Sequence, residues 1–226
     1  MMGRKRKIWL PLLWVVVCGT FAEATMTCPL KVFNSDEYGS VTSGLNLYVE
    51  VADGGPGQIN FLFYNQSTID SAIARIYFDD DAGVLLSILD ISGDGTSFSQ
   101  PAKPKNLPAG MSISPAFDAT EQLSIAAAAP PPKNGINPGE HATVTLDLSD
   151  GFLPGDVTAA LNEGTLRVGV HVIALPDGSS VSAVTIPEPA TLAIFGLAAL
   201  CIVRKARSLK WFRNETNNTS INGVKQ

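Results

Sequence analysis

LNLYVEV, residues 45–51, puts Leu45, Leu47, Val49 and Val51 on one side of an extended chain and Asn46, Tyr48 and Glu50 on the other. Side chains alternate across a strand, so this period of two predicts a β-strand with one buried face. Further along, QINFLFYN (58–65) alternates Ile59, Phe61 and Phe63 against Asn60, Leu62 and Tyr64. ARIYF, VLLSILDI, ATVTLDL and LRVGVHVIAL continue the pattern, with Val144, Leu146 and Leu148, then Leu166, Val168, Val170 and Val172, as inward faces. Between them stand turn sequences such as Asp53-Gly54-Gly55-Pro56-Gly57, Ser92-Gly93-Asp94-Gly95 and Pro176-Asp177-Gly178. Glycine accepts positive φ there and aspartate bonds nearby amides, so short strands joined by such turns pair antiparallel.

PGDVTAALNEG (154–164) reads as one brief helix stopped by Gly164. The proline-rich stretch 100–139 is expected to form long, solvated surface loops, because proline denies a sheet its amide donors. The expected fold is all-β: an antiparallel two-sheet β-sandwich, jelly-roll-like, with one short helix at an edge. It occupies residues 25–185, a comfortable length for one core.

The composition agrees, with 20 glycines and 15 prolines and only 16% charged residues in 226. The formal charge of −5 conceals a segregation. From Thr25 to Pro189 there are six Lys or Arg against nineteen Asp or Glu, a balance that repels phosphate backbones and disfavours nucleic acid as a partner. Of the three cysteines, Cys18 and Cys201 fall in terminal apolar runs, which leaves Cys28 alone and no disulfide framework.

MMGRKRK followed by IWLPLLWVVVCG has a cationic lead and an apolar stretch too short to span permanently, the pattern of a secretory signal peptide. Ala22 and Ala24 supply small residues for signal peptidase, predicting cleavage after Ala24. At the other end, residues 190–203 are uncharged and Arg204, Lys205 and Arg207 follow at once. That order predicts a transmembrane helix with a basic stop-transfer cluster held in the cytoplasm. Just before it, Pro187, Glu188 and Pro189 form a segment that cannot join the helix, since proline lacks the amide and restricts its predecessor.

This three-part order, Pro187-Glu188-Pro189, an apolar helix and Arg204-Lys205-Ala206-Arg207, resembles the PEP-CTERM sorting signal of exported bacterial proteins. The resemblance implies processing by an exosortase, a membrane enzyme with a cysteine nucleophile, and delivery to the cell surface or extracellular matrix. The signal covers 186–207, and a polar tail, 208–226, extends past the point where such signals usually end. Within the body, FYNQSTI (63–69), IYFDD (76–80), NLP (106–108) and RVGVHV (167–172) resemble a group of PEP-CTERM-bearing extracellular proteins, a likeness that brings no activity with it.

Chemistry is sparse in the body. Asp79-Asp80-Asp81 is the sharpest carboxylate cluster, but alternation points its members apart and apolar Val84-Leu85-Leu86 follow, so it reads as a solvated turn rather than a calcium loop. Asp90 and Asp94 read as an Asx-type turn. His171 reads as a surface or edge residue, and Cys28, beside Pro29, as part of a flexible N-terminal segment. No metal or cofactor is expected, nor any catalytic pair. The expected function is therefore that of a non-enzymatic, exported surface or matrix protein, with extracellular polysaccharide as the expected partner; the alternative is a lectin-like module tethered to the envelope. All three tryptophans, Trp9, Trp14 and Trp211, lie outside the body, so any sugar platform there must come from Tyr or Phe.

Overall fold

The structure, a computed structural model, describes residues 25–33 and 42–186. The expected signal peptide, the membrane helix with its basic cluster and the polar tail lie outside these residues. Among the described residues, no helix is long and apolar enough to cross a membrane.

Ten strands form in chain order: β1 (Met26–Val32), β2 (Leu47–Gly55), β3 (Gln58–Asn65), β4 (Ala72–Asp80), β5 (Leu85–Ser92), β6 (Phe98–Ser99), β7 (Ser124–Ala127), β8 (His141–Leu148), β9 (Leu166–Ile173) and β10 (Val181–Thr185). Helix α1 (Pro131–Asn134) is a single turn, and α2 (Pro154–Glu163) fills the predicted helical site. Pro154 begins α2, the Asp156 carboxylate accepts the Leu153 amide at 2.7 Å, and Gly164 ends it at φ 75°, a backbone region closed to most side chains.

All pairings are antiparallel, in the order β5-β8-β3-β2-β1-β10-β9-β4-β7-β6. The expected two-sheet sandwich needs correcting: this is one sheet, curled until it nearly closes as a barrel. The two halves meet through β1. Its first residues, Met26–Pro29, pair with β2, and its last, Leu30–Val32, pair with β10. Pro29 stands where one ladder ends and the other begins, a place where a missing amide is tolerated. The N-terminal stretch around Cys28 is thus a central strand with Cys28 buried, not a flexible segment.

The core lies inside the curl. Leu47, Val49 and Val51 of β2, Ile59, Phe61 and Phe63 of β3, and Val144 and Leu146 of β8 alternate inward as expected. They meet Ile76 and Phe78 of β4 and Val168, Val170 and Val172 of β9 from the other half. Phe78 packs edge-on against Phe61 and Phe63, ring centroids 5.0 and 6.3 Å apart, fastening the halves across the interior. The seam lies between β5 and β6, where the Gln100 carboxamide donates to the Ile88 carbonyl at 3.4 Å.

The proline-rich segment departs from the expected solvated loops. Residues 100–123 lie flat on the outer face of β4, β9 and β10 and bury Ala102, Leu107 and Phe117 against Tyr77 and Val184. Backbone amides and carbonyls that proline leaves without a ladder find side chains instead. Ala102 N donates to Ser124 Oγ, Tyr77 Oη to the Pro104 carbonyl, and Asn106 Oδ1 accepts the amides of Leu107 and Ala119. This lid explains the uniform burial of β9, where an exposed strand would alternate. Gly169 makes room for it: a Cβ there would meet Leu107 Cδ2 at 2.7 Å and Phe117 Cζ at 2.9 Å.

His171 is under cover as well, at 8% exposure, with Nδ1 3.3 Å from Ser182 Oγ. The expectation of a surface histidine fails because alternation reports which side of the sheet a residue takes, not whether that side is covered. Burial first, and the Arg75 guanidinium second, push its pKa down to about 4.

Two outcomes follow from the lid. Gly169→Val should cost about 1–3 kcal/mol by overpacking and open residues 100–123 to proteolysis, read by denaturant unfolding and limited digestion. For His171, neutral in folded and unfolded chains above pH 6.5, only the unfolded chain takes a proton as pH falls toward about 4. Stability should decline across that window, by on the order of 3 kcal/mol when complete, and His171→Gln should flatten the decline in denaturant midpoints measured from pH 7 to 4.

Candidate functional site

β10 is the last strand of the core and lies between β1 and β9, with all five of its residues buried. Thr185 ends it, paired with Leu30 of β1, and its hydroxyl accepts the Val168 amide at 2.9 Å. Ile186 follows at once, 41% exposed. In the sequence, Ile186 alone separates the end of this buried strand from Pro187. Because β1 runs antiparallel to β10, Thr25 and Ile186 leave the barrel at the same end. The predicted sorting residues Pro187, Glu188 and Pro189, and the basic cluster Arg204, Lys205 and Arg207, lie outside the described residues. What the structure supplies is the point from which they depart.

Asp79, Asp80 and Asp81 separate as alternation requires, but they are not a solvated turn. Asp79 is buried and forms an ion pair with Arg167, whose other bonds go to the Pro115 and Ala116 carbonyls. The Asp118 amide adds a bond to Asp79 at 3.2 Å, and the Phe117 ring lies 5.4 Å from the guanidinium. Asp80 turns the other way and accepts the amides of Val84 and Leu85 at 3.2 and 2.7 Å, tying the β4–β5 turn. Only Asp81 is exposed. Asp79 thus holds the lid and Asp80 shapes a turn. Asp90 lies exposed in β5, and the turn containing Asp94 is closed by Thr96 N and Oγ1 bonding the Gly93 carbonyl. Among the described residues, no three His, Cys, Asp or Glu side chains gather as a metal set.

Sequence reading did not find the aromatic ladder on the outer face of the other half. Tyr48 of β2, Tyr64 of β3 and His141 of β8 are register partners across three strands. Tyr48 and Tyr64 stack at 4.8 Å and 14°, Tyr64 and His141 at 5.5 Å and 23°. Partial burial, then the charge of Glu50, raises the pKa of Tyr64, so its hydroxyl stays protonated. Tyr64, the middle ring, has a neighbour on each face, so a saccharide stacking on this ladder has only the outer faces of Tyr48 and His141 to use.

The family model described as the PEP-CTERM protein-sorting motif matches residues 185–208. No curated protein and no solved structure matches the chain. The matched segment begins at Thr185, the residue that closes β10, so fold and motif share a boundary, and the chain is a PEP-CTERM domain-containing protein targeted for exosortase-dependent sorting.

Proposed function

We propose that this is a non-enzymatic exported protein whose barrel is carried across the cytoplasmic membrane, held there by the helix at 190–203, and passed by an exosortase to the cell surface or an extracellular polysaccharide matrix. The observation that carries the reading is the sorting motif at 185–208, beginning where the core ends. Three physical features support it. Arg204, Lys205 and Arg207 on the far side of an uncharged run oppose transfer of the tail and fix its orientation. Proline at 187 and 189 disfavours a helix through Glu188, and an extended peptide is the form open to a nucleophile. Both ends of the barrel depart from one side, so a signal peptide before Thr25 and a helix after Ile186 approach the same membrane without a crossing of the body.

In this mechanism the barrel contributes position rather than chemistry. Signal peptidase removes residues 1–24, the basic cluster stalls the tail, and the exosortase acts on the extended segment beside the membrane. A lectin-like aromatic platform finds less support, because the Tyr48, Tyr64 and His141 rings are stacked on one another.

In a host that encodes an exosortase, the wild-type chain should lose its C-terminal helix. Replacing Pro187, Glu188 and Pro189 together by alanine should leave the full tail attached and the protein in the membrane fraction. Intact-mass spectrometry of the mature C-terminus reads the difference. Equal processing of both chains would overturn the reading.

A further inference from the structure

Of the six Lys and Arg residues between Thr25 and Pro189, four gather at one edge of an otherwise acidic body. Arg167 is consumed by Asp79 and Lys31 lies apart on β1, while Arg75, Lys103, Lys105 and Lys133 surround the β4–β7–β6 edge. Arg75 and Lys103 line one cavity of about 420 Å³ together with Ser99, Gln100, Ala126 and Pro131. Lys105 lines the adjoining cavity of about 620 Å³, which shares Gln100 and Pro101 with the first, and pairs loosely with exposed Glu121 at 3.9 Å. Among the described residues no carboxylate lines the first cavity.

Arg75 is placed there by an irregularity in the strand. The register of β4 against β9 shifts between Ile73 and Arg75, and both Ala74 and Arg75 line the cavity, as expected of a bulge that re-aims its side chains. The bulge is pinned from below: Ile73 and Ile136 exchange both backbone hydrogen bonds at 3.0 and 3.1 Å, next to α1. Among the described residues the Arg75 guanidinium has no ion-pair or hydrogen-bond partner, although the residue is half-buried. A guanidinium left unpaired among the described residues, in a protein with carboxylates to spare, is an open donor fork.

We propose that this cavity is an anion-binding site formed by Arg75 and Lys103, and that it takes the carboxylate of an acidic polysaccharide. A planar guanidinium matches a carboxylate through two parallel bonds, and the lysine adds a second charge. Ser99 and Gln100, which also line the cavity, bring polar groups suited to sugar hydroxyls, and small apolar Ala126, Ala127 and Pro131 admit a ring without an aromatic platform. Elsewhere the acidic surface repels a polyanion, so contact is confined to this edge. Polysaccharide as the carrier of the carboxylate rests on the exported reading; the cavity and its charge do not.

The test is binding of a polyuronate to the full chain purified in detergent, read by calorimetry. Arg75→Gln and Lys103→Gln should each weaken it about tenfold or more, while Lys31→Gln and a neutral glucan serve as the silent controls. Lys103 is exposed, so its variant keeps the test decisive if Arg75→Gln does not fold. Unchanged binding in both cavity variants, or equal binding of the neutral glucan, overturns the site. Displacement of the polyuronate by inorganic phosphate at matched charge concentration overturns its assignment to a sugar carboxylate. Processing at the C-terminus is not needed for any of these readings, so a failure here is separable from a failure of the sorting mechanism.

Discussion

One strand with two partners holds this fold together. β1 gives its first half to β2 and its second half to β10, and at Pro29 it has no amide to give to either. Without β1 the sheet would fall into two pieces, one ending at β2 and the other at β10, each with a raw edge of unpaired donors and acceptors. With it, the edges among the described residues are β5 and the two-residue β6. β5 is broken in register at two places, between Leu85 and Ser87 and between Ile88 and Asp90, and such bulges discourage pairing with another chain. The proline that would disrupt an ordinary central strand is therefore the residue compatible with the switch.

The same features decide what could be read in advance. Strands with strong alternation, such as β3 and β8, announce themselves because each residue reports its own side of the sheet. β1 does not: Met26-Thr27-Cys28-Pro29 has few branched residues and a proline, and its place at the centre is set by two partners far away in the chain. β10, Val181-Ser182-Ala183-Val184-Thr185, is short and lacks large side chains. Whether ten strands make two sheets or one is a question of pairing, which periodicity cannot answer. The sorting motif was the reverse case, legible because it is a local run of sequence, the same run the family model matches at 185–208. The Tyr48–Tyr64–His141 ladder required the register of three strands before it existed at all.

The lid shows why a buried ion pair is found in so small a protein. Placing Arg167 and Asp79 away from water is costly, and burial pushes the Asp79 carboxyl up against the lowering effects of the Asp118 amide and Arg167. Two carbonyls from residues 115 and 116, together with the face of Phe117, complete the guanidinium's surroundings. Every one of those groups comes from the lid. An apolar pair could bury comparable surface, but it would accept many placements of a proline-rich segment. The ion pair accepts one, and Gly169 clears the space into which that placement sets Phe117 and Leu107.

That fixed placement links the lid to both ends of the molecule's proposed life. The lid supplies Pro101 and Lys103 to the basic cavity, so a loose lid would scatter the charges that the bulge at Arg75 aims outward. Along the strands, Thr185 lies near the Leu166–Asp80 pair, whereas Arg75 pairs with His171, nearer the opposite end marked by Ala72 and Ile173. Were the proposed anchor to follow Ile186, the end beside Asp80 and Leu166 would be the nearer to it, and the basic cavity would lie in the other half. An anionic membrane surface and an anionic ligand would be kept apart by the acidic remainder of the barrel.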